Sequence, residues 1–409
     1  MRIRIIISGL LLLLAVHAHA QQVQSRYPNG AVRVQGDLEN GLAVGQWITF
    51  SQTGDTLEFK HWKSGQLDGP FVEFYQNGTK SRSGAWKMGM EHGYWQSWYP
   101  EGHRSMEQNW DAGERNGYFA FYHQQTGNVL ESGYYRQGEK DSVWLSFGAA
   151  GDSLRFETWK NNVKQGRQCT YSRGVALEVE YLVNQRRHGP YVRYDLYRRE
   201  AQKGQYVNGQ KHGPFVIKSS GVLVREEAYD HGLPHGTWNY YSNGNLIRSE
   251  QHDQGKLNGM YRTWHADTYK LSEEGTYVAS LRAGKWSYYD RNGRLVGEYV
   301  FKANQLHGAY TSYCGAVVEE TGFYAAGKKD GKWFGWHCDA ATKRYEGAYA
   351  DNQPDGKWTW WYANQKTEKE GVLEGGLKTG VWRYYSKTGV LVKEEQWENG
   401  TLQHVAFPK

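Results

Sequence analysis

Cysteine, proline and long apolar runs are all scarce in this sequence. Three cysteines among 409 residues cannot build the disulfide framework that staples small secreted domains. Eight prolines are too few for a rigid Pro-rich tract. Beyond residue 20 no stretch is apolar and long enough to read as a transmembrane helix. Apolar spacing at i, i+3, i+4, i+7 is not sustained anywhere, which argues against a helical protein. Basic residues number 49 against 43 acidic, a net +6, but no Lys/Arg run forms the stripe that nucleic-acid binders carry. Hydrophobic residues make up only 39%, so aliphatic side chains alone cannot supply the core.

What the sequence has is aromatic rings and glycine. Aromatics make up 15% of residues, with 18 Trp and 31 Tyr, so this is not the composition of a disordered chain. The 50 glycines point to many tight turns. At the N-terminus, Arg2 and Arg4 precede an apolar run from Ile5 to Val16, and Ala18-His19-Ala20 has the small-x-small form of a cleavage site. Residues 1–20 therefore read as a signal peptide cleaved after Ala20. The expected location is outside the cytoplasm, periplasmic or extracellular in a bacterium.

An internal repeat dominates the rest. A small residue followed by rings two and five positions later recurs from Gly45 to Gly380 at intervals of 23 to 25 residues. Fifteen such anchors exist, fourteen of them glycine and one Ser142. A ring stands at anchor+2 in every unit except at Gln168, and at anchor+5 in every unit except at Lys218. A turn follows, as in Gln76-Asn77-Gly78. A second segment then ends on another ring, interrupted only by His252 and Leu373. Short aromatic and β-branched segments separated by Asn-Gly-like pairs read as β-hairpins. The expected fold is all-β: an elongated array of about fifteen antiparallel hairpins in a twisted or coiled meander sheet. Rings three apart fall on opposite faces of a regular strand, so either both faces are aromatic or a bulge at the glycine shifts the register. The weakest stretch reads as Gly138 to Leu177. Residues 21–44 read as a partial repeat or cap, 45–400 as the tandem hairpins, and 401–409 as a tail.

The unit Gly-x-Trp-x-x-Tyr-Tyr-x-Asn-Gly-x-Leu resembles the bacterial variant of the MORN repeat, which is grouped with YwqK-type antitoxin repeats. Residues 236–255 and 380–400 match it best. The resemblance implies a hairpin meander with a binding or scaffolding role, and it adds an antitoxin or immunity role as a further possibility.

Candidate chemistry follows the repeat. His92, His188, His212, His235 and His307 each precede an anchor glycine, where other units have Asp or Asn. Equivalent positions in adjacent units lie two strands apart, roughly 10 Å, too far for one metal ion. These histidines read as turn residues, and no metal or cofactor is expected. Glu226-Glu227, Glu273-Glu274, Glu319-Glu320 and Glu394-Glu395 are neighbours on strands and so point to opposite faces. No catalytic residue is assigned, and the chain reads as non-enzymatic. Cys314 and Cys338 occupy near-equivalent places two strands apart, beyond disulfide reach, but both lie near a turn, so their pairing is left open. The candidate binding or structural aromatics are Trp47, Trp95, Trp98, Trp238, Tyr241, Trp286, Tyr289, Trp358, Trp361, Trp382 and Tyr385. The expected partner is a protein, with cell-envelope glycan as the alternative.

Overall fold

A computed structural model describes residues 20–408. All of the signal-peptide reading except Ala20 therefore lies outside the described residues. The chain divides into two compact units, one ending at His188 and the other beginning at Gly189. The boundary does not fall in the Gly138–Leu177 stretch.

Each unit is an antiparallel meander in which successive strands pair. The described residues form 36 strands and no helix. Three of these, Arg186–Arg187, Gln210–Lys211 and Leu233–Pro234, are short pieces cut from the following strand at His188, His212 and His235. With each piece joined to its continuation, fifteen anchor strands alternate with fifteen return strands among the described residues. Gln21–Arg26 and Val32–Glu39 precede them. Thr401–Ala406, in the segment read as a tail, is a strand paired with Leu391–Glu398. Its alternation is weak and it carries no anchor ring, so the repeat pattern alone did not reveal it.

The register resolves the question of the two rings. Strand Gln66–Phe74 follows Thr56–Lys63, with Lys60 opposite Phe71 and Trp62 opposite Leu67. Asp68, Gly69 and Pro70 therefore face the single residue His61, a bulge that Gly69 permits at φ 120°. Beyond it the pairing to the next strand is unbroken from Gly69 to Glu73, so Phe71 and Phe74 point to opposite faces. Both readings hold: a bulge sits at the anchor, and both faces carry rings.

Between Gly138 and Leu177 the regular strands Glu139–Phe147, Ser153–Lys160 and Val163–Ser172 form, because the exceptions to the repeat are compensated. Ser142 adopts φ 59°, as the anchor glycines do, and its Oγ donates to Asp141 Oδ1 at 2.8 Å. Gln168 replaces a ring, and its Nε2 donates to Thr158 O at 3.0 Å, ten residues upstream. Tryptophans at the same repeat position bond the same carbonyl: Trp144 Nε1 reaches Tyr134 O at 3.1 Å and Trp382 Nε1 reaches Val372 O at 3.1 Å. The glutamine amide thus reproduces the indole N–H.

Candidate binding faces

The anchor+2 rings define the first face. Trp95, Trp286, Trp358 and Trp382 are buried, and Trp47 and Trp238 are half-buried. Each buried indole is fixed from several sides. The ring ending the return strand meets it edge-on, as Tyr277 meets Trp286 at 5.2 Å and 88° and Tyr349 meets Trp358 at 5.1 Å and 88°. A cation covers the outer surface of most of them: Arg82 lies 4.2 Å from the Trp95 ring, Arg282 4.1 Å from Trp286 and Lys378 4.7 Å from Trp382. Arg282 is itself held by Glu273 at 3.3 Å.

Beneath the indoles lies a second glycine that the sequence reading did not single out. A Cβ built on Gly84 would fall 2.1 Å from Trp95, and one on Gly275 would fall 2.1 Å from Trp286. Such a glycine stands nine residues before eight of the anchors, and seven of the rings above it are tryptophan, with Phe215 the eighth. Where Lys60, Gln108, Glu180 or Tyr299 occupies that place, the ring is the smaller Phe71, Phe119, Tyr191 or Tyr310. Trp238, whose unit has Glu227 nine residues before the anchor, is the exception. Glycine supplies room for the larger indole, a packing rule visible within the one chain. The fully buried indoles among them, Trp95, Trp286, Trp358 and Trp382, pack inside the sheet, whereas Trp47 and Trp238 keep part of their surface open.

The second face carries the anchor+5 rings, and it is more open. Trp98, Tyr241, Tyr289, Trp361 and Tyr385 are each half-buried there. A tyrosine at this position donates to a glutamate fifteen residues upstream: Tyr122 to Glu107 at 2.7 Å, Tyr241 to Glu226 at 2.7 Å, Tyr289 to Glu274 at 3.1 Å and Tyr385 to Glu370 at 3.2 Å. Burial, followed by the hydrogen bond and charge of Glu226, pushes the Tyr241 hydroxyl up to about 12. Between these rows the first unit exposes Tyr94 and Tyr134, and the second exposes Met260, Phe323, Val372 and Val381.

The glutamate pairs divide between the faces. Glu226 binds Tyr241 and Asn239, whereas Glu227 accepts from Tyr229 at 2.8 Å and Lys211 at 3.4 Å. Glu395 sits among Lys393, Tyr384, Trp397 and Lys378. Burial opposes its ionisation, but those four hydrogen bonds outweigh burial and hold the carboxyl at about 2.

The turn edges also link neighbouring units. Tyr75 Oη donates to Trp98 O at 2.8 Å and Tyr362 Oη to Tyr385 O at 3.0 Å, while His337 Nε2 lies 2.8 Å from Trp361 O. At the same edge Cys314 and Cys338 form a disulfide with a Cα separation of 5.9 Å. Cys314 is the last residue of its strand, paired with Val317, and Cys338 lies in the turn just past Trp336, so the regular two-strand spacing does not hold at this edge. Cys169 is free and buried. At the opposite edge, His92 meets Asp111 at 3.3 Å and His235 meets Asp253 at 3.3 Å.

With this register in place, the family profile described as MORN repeat variant matches residues 378–402. Those residues span the anchor strand Leu377–Tyr385 and the return strand Leu391–Glu398. The chain carries a MORN repeat variant. The same anchor bulge and ring placement recur in other repeats, so one type of hairpin builds both compact units. No curated protein matches the chain. Among solved structures, a TcdB2–TccC3–Cdc42 complex aligns at 10% identity and a TM-score of 0.17, covering 93% of this chain and 23% of that one. The Photorhabdus luminescens Tc holotoxin pore aligns at 12% identity and a TM-score of 0.17, covering 91% of this chain and 23% of the other. The chain thus spans about a quarter of the length of those two, and such TM-scores establish no shared arrangement.

Proposed function

We propose that this MORN-repeat chain is an exported, non-catalytic scaffold that binds a protein partner through its second face. The observation that carries this reading is the asymmetry of the faces. On the first, the large rings lie over glycine and under cations. On the second, rings remain half-buried beside exposed Tyr94 and Tyr134 in one unit and exposed Phe323, Val372 and Val381 in the other. Exposed aromatic and aliphatic side chains on a rigid sheet, rimmed by hydrogen-bonded glutamates, have the composition of an interaction surface. Repeat arrays commonly build such surfaces.

The test is affinity capture from the envelope fraction with the full chain and with a Tyr94→Ala/Tyr134→Ala/Phe323→Ala variant. A protein retained by the wild type and lost with the variant supports the reading. Equal retention by both, or no specific protein, contradicts it. Export is checked by fractionation and N-terminal sequencing of the mature chain, with Gln21 expected first. Glycan binding is the second reading, favoured by the exposed Tyr94 and Tyr134 rings, on which sugars can stack. It expects retention on peptidoglycan or a glycan array that the same variant abolishes.

A further inference from the structure

We propose that His212, Asp230 and His231 form a binding site for a divalent transition metal of the zinc or copper(II) class. One ligand atom from each lies within 4.8 Å of the other two. Nδ1 of His231 is 2.6 Å from Asp230 Oδ1, and Nδ1 of His212 is 3.5 Å from the same oxygen. The two imidazoles lie 5.2 Å apart between centroids. Nδ1 of His212 is sealed from solvent and makes no hydrogen bond, although it faces this carboxylate. A tetrahedral ion with bonds of about 2.0–2.1 Å holds its ligands roughly 3.3 Å apart, so small side-chain rotations complete the set. Two imidazole nitrogens and one carboxylate suit Zn²⁺ or Cu²⁺ rather than Mg²⁺ or Ca²⁺. Three protein ligands leave a position for water.

The backbone presets the arrangement. His231 and Gly232 form the centre of a tight turn at φ 46° and 84°. Gly232 N donates to Lys211 O at 2.8 Å, which ties this turn to the residue before His212. His212 N donates to Gln205 O at 2.9 Å. Equivalent positions in adjacent units lie two strands apart, but His231 is not such a position: it enters from the adjoining turn of the hairpin that His212 opens. Two further His–Asp pairs act as internal controls. His92–Asp111 and His235–Asp253 reproduce the first half of the site, but Ala112 and Gln254 occupy the place of His231.

The experiment uses the full mature chain without a polyhistidine tag, stripped with EDTA. Calorimetric titration is expected to show one equivalent of Zn²⁺. His231→Asn and His212→Asn each place a residue that other units use at the same turn positions, and each is expected to weaken that equivalent at least tenfold. His92→Asn and His235→Asn are expected to leave it unchanged. Cu²⁺ bound to the unsubstituted chain is expected to show coupling to two nitrogens by electron paramagnetic resonance, a readout that does not depend on any variant folding. Zn²⁺ binding that persists in both His231→Asn and His212→Asn, equal losses in the control variants, coupling to a single nitrogen, or no binding above buffer would overturn the proposal.

Discussion

Gly275 and its counterparts beneath the other indoles set how large a ring the first face accepts. A methyl group at Gly275 would meet the ring-fusion carbon Cδ2 of Trp286 2.1 Å away, and that indole is fully buried. Gly275→Ala is therefore expected to destabilise the second unit by about 3 kcal/mol, at the severe end of overpacking. Adding Trp286→Phe should recover part of that loss, read by denaturant unfolding. Equal stability of Gly275→Ala and wild type would sink the packing rule. The pairing of glycine with tryptophan is present in the sequence, but a residue whose role is to have no side chain leaves no mark in the pattern of rings. The Gln168 exception was legible as a break and illegible as a substitute, because its amide meets the indole's carbonyl only through the pairing of two strands. Titration at this scale is also testable. Tyr241 has a folded value near 12, above the unfolded value of about 10, so its contribution is complete below pH 10 and lost as pH rises through 12. Glu395 has a folded value near 2, below the unfolded value of about 4.3, so its contribution is complete above the unfolded value and lost as pH falls toward 2. Circular dichroism against pH should show stability declining in those two windows, and Tyr241→Phe and Glu395→Gln should each flatten its own limb. Unchanged limbs would contradict these assignments.

The hairpin is the element in which sequence reasoning reached furthest. Strand types, the glycine anchors and the separation of the glutamate pairs onto two faces all followed from period-two alternation and turn chemistry. The turns themselves were less legible. Strand spacing fixes distances within the ladder, but at the edges side chains such as Tyr75 and Asn77 cross directly to the next turn. The disulfide belongs to this layer, with Cys314 six residues after its anchor and Cys338 seven after the next. A loop of this length constrains the unfolded chain by about 3 kcal/mol. Reduction, or a Cys314→Ser/Cys338→Ser variant, is expected to lower the second unit's unfolding midpoint and leave the first unit's unchanged. A non-reducing digest should contain the 314–338 cross-linked peptide and a free Cys169 peptide. Three free thiols, or a cross-link to Cys169, would contradict the pairing.

At the scale of the whole chain, the repeat made the fold class readable, since fifteen copies of one pattern reinforce a signal that a single hairpin gives weakly. The division at His188 was not readable, because the anchors on either side of it are regular. Nor could the sequence say which face is closed. Rings recur on both faces with nearly equal regularity, and only their neighbours distinguish a packed indole from a half-buried tyrosine. That distinction is the basis of the functional reading, and side-chain footprinting tests it most directly. Oxidative labelling of the full chain, alone and with the captured partner, should modify Tyr94, Tyr134 and Phe323 readily in the free protein and spare Trp95, Trp286 and Trp382. Partner binding should protect the first group and leave the second as it was. Strong labelling of Trp286 in the free chain, or protection confined to the tryptophan face, would contradict the account.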